Sequence, residues 1–142
     1  MVLAPFDVKL SDYDVVQPDL LVSCSQRLGA RFHDGAPDLA VEILSPSSLR
    51  HDRIRKLNLY AKAGLAEYWL VTPYPLMIEV FSNHEGIFHA CGGFGEDQVL
   101  HSPRFPELSL DLAAIYAELP PNPDPEAVRE SPPVYASSLP NR

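Results

Sequence analysis

Residues 37–72 constrain the fold more than any other stretch of this chain. Pro-Asp-Leu-Ala-Val-Glu-Ile-Leu-Ser, at 37–45, is a nearly continuous apolar run of the kind a strand covered on both faces carries. A helical pattern follows. Ser47 or Ser48 is placed to cap a helix running to about Ala63, with Ile54, Leu57 and Ala61 as its apolar stripe and Gly64 as a left-handed stop. Glu-Tyr-Trp-Leu-Val, at 67–71, then reads as a second strand. Strand, helix and strand in so short a span predict a parallel pair joined by a right-handed crossover.

The flanking segments extend the sheet. Val-Leu-Ala-Pro-Phe-Asp-Val-Lys-Leu at 2–10 reads as a strand, 11–16 as a polar turn leading out of it, and Pro-Asp-Leu-Leu-Val-Ser-Cys at 18–24 as a second strand. Residues 25–36 form a connection with Gly29 and Asp34-Gly35 as its turns. After the crossover come a turn at 72–75, a strand at 76–82, a hairpin turn at 83–86 and a strand at 87–91. A short helix over 108–119 completes the order β-β-β-α-β-β-β-α. The fold class expected is α/β, a mixed β-sheet with the crossover helix on one face.

With 142 residues and 46% apolar content, the chain has the material for one domain core. Residues 119–142 hold seven of the fifteen prolines and no periodicity, so the domain is expected over 1–118 and a loosely attached, disordered tail over 119–142. The net charge of −8 sets the whole-chain field against nucleic acid. Yet Arg50, Arg53, Arg55, Lys56 and Lys62 place five of eleven basic residues within thirteen positions. Such a cluster is either a solvated helix face or a patch turned towards phosphate. Cys24 and Cys91, in strand-like settings without CxxC spacing, are expected as buried free thiols of a reducing compartment. No signal peptide or membrane span is evident, which predicts a cytoplasmic protein with no membrane partner.

Glu42 is the residue that suggests chemistry. A carboxylate inside a buried strand needs a partner, a cation or a shifted pKa. If 19–24 and 37–44 pair antiparallel, facing residue numbers sum to about 62, which brings Asp19 to Ile43 and Glu42 to Leu20. The two carboxylates are then close if they share a face. Two ionised carboxylates repel, and a divalent cation relieves them; oxygen ligands suit Mg²⁺ or Mn²⁺, with the backbone carbonyl of Ile43 as a further ligand. Such an ion can activate water against a phosphodiester. The plainer reading of Glu42 is a salt bridge to a helix arginine. Asp38 shares the parity of Glu42 but lies roughly 13 Å away along the strand, and reads as a strand-start turn or cap. Lys56 could return over the strand ends to face phosphate, or could simply pair with Asp52 at i,i+4. The five histidines show no metal-ligand spacing, Ser45 and Ser47 lie in no nucleophile elbow, and 91–97 is a glycine-rich turn without a phosphate-loop pattern.

Three strings, Val-Val-Gln-Pro-Asp-Leu-Leu-Val at 15–22, the long run at 36–73 and Arg-Phe-Pro-Glu-Leu-Ser-Leu-Asp-Leu-Ala-Ala-Ile-Tyr at 104–116, together resemble the Uma-two family of restriction endonucleases. That family lies in the PD-(D/E)XK nuclease superfamily. The resemblance covers about residues 3–118 and implies a restriction-endonuclease-like fold and Mg²⁺-dependent hydrolysis of DNA. It places Asp19 at the superfamily's Pro-Asp aspartate and Glu42 at its (D/E) position. The lysine expected two residues on is Leu44 here, which makes Lys56 in the helix the replacement. Thr72 stands where the family usually has Asp. The family pattern also begins earlier, with a further helix and strands, so the resemblance implies an N-terminally incomplete domain. Asp19, Glu42 and Lys56 are thus the expected catalytic residues, with Arg53 and Arg55 as contacts to the DNA backbone. The alternative is an inactive nuclease-fold remnant serving as a binding module. A third reading is a subunit whose edge strand at 2–10 pairs with a partner or a second copy.

Overall fold

The computed structural model describes residues 2–3, 6–24, 29, 31–45, 50–123 and 125. The chain is a mixed α/β structure built on a six-stranded sheet. Its strands are β1 (Val2–Leu3), β4 (Leu20–Val22), β6 (Leu39–Ile43), β7 (Glu67–Pro73), β8 (Leu76–His84) and β9 (Ile87–Gly95), and their spatial order is β1-β4-β6-β7-β8-β9. The β6–β7 pair is parallel and is joined through helix α1 (Arg50–Ala63), as the apolar runs predict. All other pairs in this sheet are antiparallel.

The central position of β6 explains its composition. Strand residues alternate between faces, so Leu39 and Val41 enter one core with Trp69, Ile78 and Val80, while Ala40 enters the other with Leu21, Tyr68 and Leu70. The first core is closed by the hairpin of β10 (Val99–His101) and β11 (Ser109–Asp111) and by α2 (Leu112–Glu118), through Leu100 and Leu112. The second is closed by α1, through Tyr60 and Ala61, and by a small sheet of β2 (Asp7–Lys9), β3 (Val15–Val16) and β5 (Phe32–Asp34), through Val8 and Val16. Glu42 has the parity of Ala40. It therefore points at α1.

Gly64 stops α1 as expected. Its φ is +86°, its N–H donates to the Ala61 carbonyl, and the Leu65 N–H reaches back to the Tyr60 carbonyl. That is a Schellman ending, completed by burial of both Leu65 and Tyr60 in the same core. The proposed caps Ser47 and Ser48 lie outside the described residues.

Several expectations need correction. The stretch 2–10 is two strands in different sheets, and the polar turn at 11–16 and the connection at 25–36 contain β3 and β5. The glycine-rich 91–95 continues β9, with an irregularity opposite Val80/Phe81 that leaves Cys91 out of register. Both cysteines are exposed rather than buried: Cys24 follows the end of β4, and Cys91 lies on an outer strand. Ile54 is 38% exposed, because the face of α1 that meets the sheet is carried by Leu57, Tyr60 and Ala61. Residues 109–111 of the expected last helix form a strand, and α2 starts only where the Asp111 side chain caps the Ala113 N–H. Beyond α2, Leu119 packs on the first core and the Pro120 carbonyl accepts from the Tyr74 hydroxyl at 2.7 Å. Among the described residues no helix is long and apolar enough to cross a membrane.

Candidate active site

The β4–β6 register is one residue different from the expected one. Leu20 faces Val41 and Leu21 faces Ala40, so facing numbers sum to 61. Continued one step, this puts Asp19 opposite Glu42, and one step further it puts Pro18 opposite Ile43. Residues directly opposite in an antiparallel pair share a face, so the correction places the two carboxylates together more directly.

The same register explains the Pro-Asp sequence. Leu44 donates to the Val71 carbonyl, so even-numbered groups of β6 bond towards β7 and odd-numbered ones towards β4. Ile43 thus turns its backbone towards Pro18 and Asp19. The Asp19 carboxylate takes the Ile43 N–H at 2.7 Å through Oδ2. Pro18 has no N–H to return to the Ile43 carbonyl. The strand ends here with a carbonyl that its ladder neighbour cannot satisfy.

Glu42 is 7% exposed. Its two oxygens are held by two residues one turn apart on α1: the Tyr60 hydroxyl donates to Oε1 at 3.0 Å, and the Lys56 ammonium lies 3.7 Å from Oε2. Burial pushes the Glu42 carboxyl above its ordinary range; Lys56 and the Tyr60 hydroxyl oppose that, while Asp19 and Asp52 add to it. The Tyr60 phenol is pushed up by burial and by the Glu42 charge, so it remains a donor. Lys56 also lies 3.9 Å from Asp52, which in turn pairs with Arg55 at 3.8 Å. Lys56 therefore bridges its i,i+4 neighbour and the buried carboxylate, and the ionic partner of Glu42 is this lysine rather than an arginine. Arg53, on the same helix, is half-buried with its Nε unpaired among the described residues.

Asp38 stands apart from this cluster. Burial alone would raise its pKa, but the Cys24 N–H at 2.8 Å and the Arg104 guanidinium at 2.9 Å outweigh it and hold the carboxyl below the usual 3.8. It ties the end of β4 to the start of β6. Thr72 lies within β7, facing Met77, and not in a turn. A second buried carboxylate, Glu67, was not singled out from the sequence. It is 1% exposed on the opposite face of the sheet, and it accepts from Trp69 Nε1, the Ser102 hydroxyl and the Arg104 N–H. Its place at the head of an apolar strand was the available signal, related to that of Glu42, which lies inside one.

Among the described residues no group of three or more His, Cys, Asp or Glu side chains gathers to hold a metal. At the strand end the Asp19 carboxylate binds the Ile43 N–H and its charge acts on Glu42, so two carboxylates and the Ile43 carbonyl are the oxygens that would hold a cation. Hard oxygen donors of this number, completed by water, fit Mg²⁺ or Mn²⁺ and do not fit a softer, fully caged ion.

A family model described as "Putative restriction endonuclease", Uma2, matches residues 1–113. Among solved structures, a crystal structure of a protein described as a putative nuclease belonging to DUF820, from Anabaena variabilis, matches with a TM-score of 0.58 at 23% identity. The match covers 72% of this chain and 60% of that one, and it bears on the fold. No curated protein matches. With the family pattern running through both Pro-Asp strands, the crossover helix and the following sheet, this chain belongs to the Uma2 family.

Proposed function

We propose that this chain is a metal-dependent endonuclease that hydrolyses DNA phosphodiester bonds. The observation that carries the reading is Glu42, a buried carboxylate that the β4–β6 register, continued one step, sets opposite Asp19, with a lysine from the crossover helix beside it. Asp19 and Glu42 would hold Mg²⁺ or Mn²⁺ together with the Ile43 carbonyl. Asp19 Oδ2 accepts from the Ile43 N–H, so Oδ1 is the less engaged oxygen for the cation.

The cation supplies an activated water and a counter-charge for the phosphate. The protein groups do the rest. Asp19 and Glu42 fix the position of attack, because one is tied to the backbone and the other is held from α1. Lys56 faces the developing negative charge on the phosphate from the Glu42 side. Arg53 and Arg55, on the same helix, meet the DNA backbone and set the strand's position without reading bases. Their local positive charge works against the −8 of the whole chain, which makes binding depend strongly on salt. We place the reaction in the cytoplasm, where DNA and Mg²⁺ coexist.

Nicking of supercoiled plasmid in Mg²⁺ tests this. Wild-type protein should nick, EDTA should stop it, and Glu42→Ala should remove it in a protein whose circular dichroism is unchanged. Equal cleavage by Glu42→Ala overturns the proposal. Absence of Mn²⁺ binding by the folded wild type would favour an inactive binding module instead.

A further inference from the structure

Tyr60 has no place in the reading of the sequence, yet it makes a closer contact to the Glu42 carboxylate than Lys56 does: its hydroxyl donates to Oε1 at 3.0 Å, against 3.7 Å from Lys56 to Oε2. It is fully buried, and its ring packs at 5.0 Å between centroids against Tyr68. Its backbone is equally fixed, because the Tyr60 carbonyl accepts the Leu65 N–H that closes the helix end. A phenol so placed cannot swing to water, and moving it away from Glu42 would strand a buried donor. One lone pair of Oε1 is therefore held by the phenol, which leaves Oε2 the freer oxygen of Glu42.

We infer that Tyr60 is a specificity-determining positioning residue, restricting Glu42 to coordination through the single oxygen Oε2 and so selecting a small octahedral cation over Ca²⁺. This rests on the reading of Asp19 and Glu42 as cation ligands. The reasoning is one of ligand geometry. Mg²⁺ and Mn²⁺ accept carboxylates one oxygen at a time, at about 2.0–2.2 Å, and complete their shell with water. Ca²⁺ takes roughly six to eight oxygens at about 2.3–2.6 Å, and bidentate carboxylates are its usual means of reaching that number. With two carboxylates and a carbonyl available, the loss of one Glu42 oxygen disadvantages Ca²⁺ most. Lys56 on Oε2 is a loose ion pair, which a cation can displace; the Tyr60 hydrogen bond on Oε1 is the constraint that persists.

Calorimetric titration of MnCl₂ and of CaCl₂ into wild-type protein and Tyr60→Phe tests the inference. The variant keeps the ring and its packing on Tyr68. Wild type should prefer Mn²⁺, and Tyr60→Phe should narrow the Mn²⁺/Ca²⁺ preference by about tenfold, mainly by tightening Ca²⁺, a change of the size outer partners of metal ligands produce. A folded variant whose preference is unchanged, or in which both affinities fall together, assigns Tyr60 to packing alone and overturns the inference. A wild type that binds neither ion overturns the metal reading beneath it, which is a separate result. If Tyr60→Phe does not fold, infrared difference spectra of the wild type decide. The carboxylate bands lost in Glu42→Gln should show the wide splitting of one-oxygen coordination in Mn²⁺; a narrow, bidentate splitting refutes the inference.

Discussion

Truncating Glu67 to alanine should be among the most destabilising single changes in this protein. The side chain is buried on the face of the sheet that meets the β10–β11 hairpin, and three donors converge on it: the Trp69 indole N–H, the Ser102 hydroxyl and the Arg104 N–H. A buried donor left without its acceptor costs about 1–3 kcal/mol. The Trp69 indole is buried and rigid, and its N–H donates to Glu67. Arg104 is only part-buried and recovers some of its loss in water, and the Ser102 hydroxyl can rotate, since its oxygen also accepts from the Phe105 N–H. The total comes to about 3–5 kcal/mol, a large share of the roughly 5–15 kcal/mol by which domains are stable. Glu67→Gln keeps one acceptor but turns an amide N–H₂ towards a donor, and should cost about 1–2 kcal/mol. Urea unfolding followed by tryptophan emission is suited to this, because Trp69 is the sole tryptophan of the chain and is itself one of the three donors. At low urea, where the variant is folded, Mn²⁺ affinity should be unchanged, since Glu67 and Glu42 lie on opposite faces. A Glu67→Ala midpoint indicating less than about 1 kcal/mol lost would refute the argument that these donors depend on Glu67.

The remaining predictions concern other links between sequence, stability and site. Asp38 is held below its usual pKa, so its contribution is present above the unfolded value of 3.8 and is lost as pH falls through the folded one. Asp38→Asn should cost about 1 kcal/mol at pH 7, a figure kept small because Arg104 is half-exposed and screened, and the difference should fade in urea melts below that range; a difference that grows in acid contradicts the sign. Gly64→Ala should lower stability by about 1 kcal/mol, the left-handed backbone cost alone, because an added Cβ meets nothing within 4 Å; thermal melts showing a loss of several kcal/mol would mean that a clash had been missed. Lys56→Met should reduce plasmid nicking on the order of a hundredfold while Mn²⁺ still binds by calorimetry, and an unchanged rate would reduce Lys56 to a structural pair with Asp52.

The central unit was legible because its signals are long. An apolar strand, a helix with its glycine stop and a second strand each span enough residues for periodicity to register, and parallel pairing through α1 followed from them. The short elements escaped for the converse reason: β3, β5, β10 and β11 have two or three residues each, too few to display an alternation. Residues 91–95 were misread because glycine propensity argues against a strand, whereas eight residue pairs with β8 enforce one. In the site, Glu42 and Asp19 were visible as carboxylates beside apolar runs. Tyr60 was not, since an aromatic on a helix face reads as packing until its hydroxyl is seen to meet a carboxylate. The one-residue difference in register shows how sensitive facing positions are to where a loop ends.

Asp19 has two occupations, and they bind the chemistry of the site to the integrity of the sheet. Its Oδ2 takes the Ile43 N–H at 2.7 Å, standing in for backbone just outside β4, while its remaining oxygen is the one that the proposed cation would use. A ligand that also splices two strands transmits occupancy into the framework: divalent ions should protect the Ile43 amide from hydrogen exchange more than amides of the distal hairpin. It also divides the two standard substitutions. Asp19→Ala removes the splice together with the ligand, so any lost activity would mix fraying with chemistry. Asp19→Asn keeps an acceptor for Ile43 while replacing the other oxygen by an NH₂ and removing the charge. It tests the ligand without cutting the splice, which makes the amide variant the informative probe of this position.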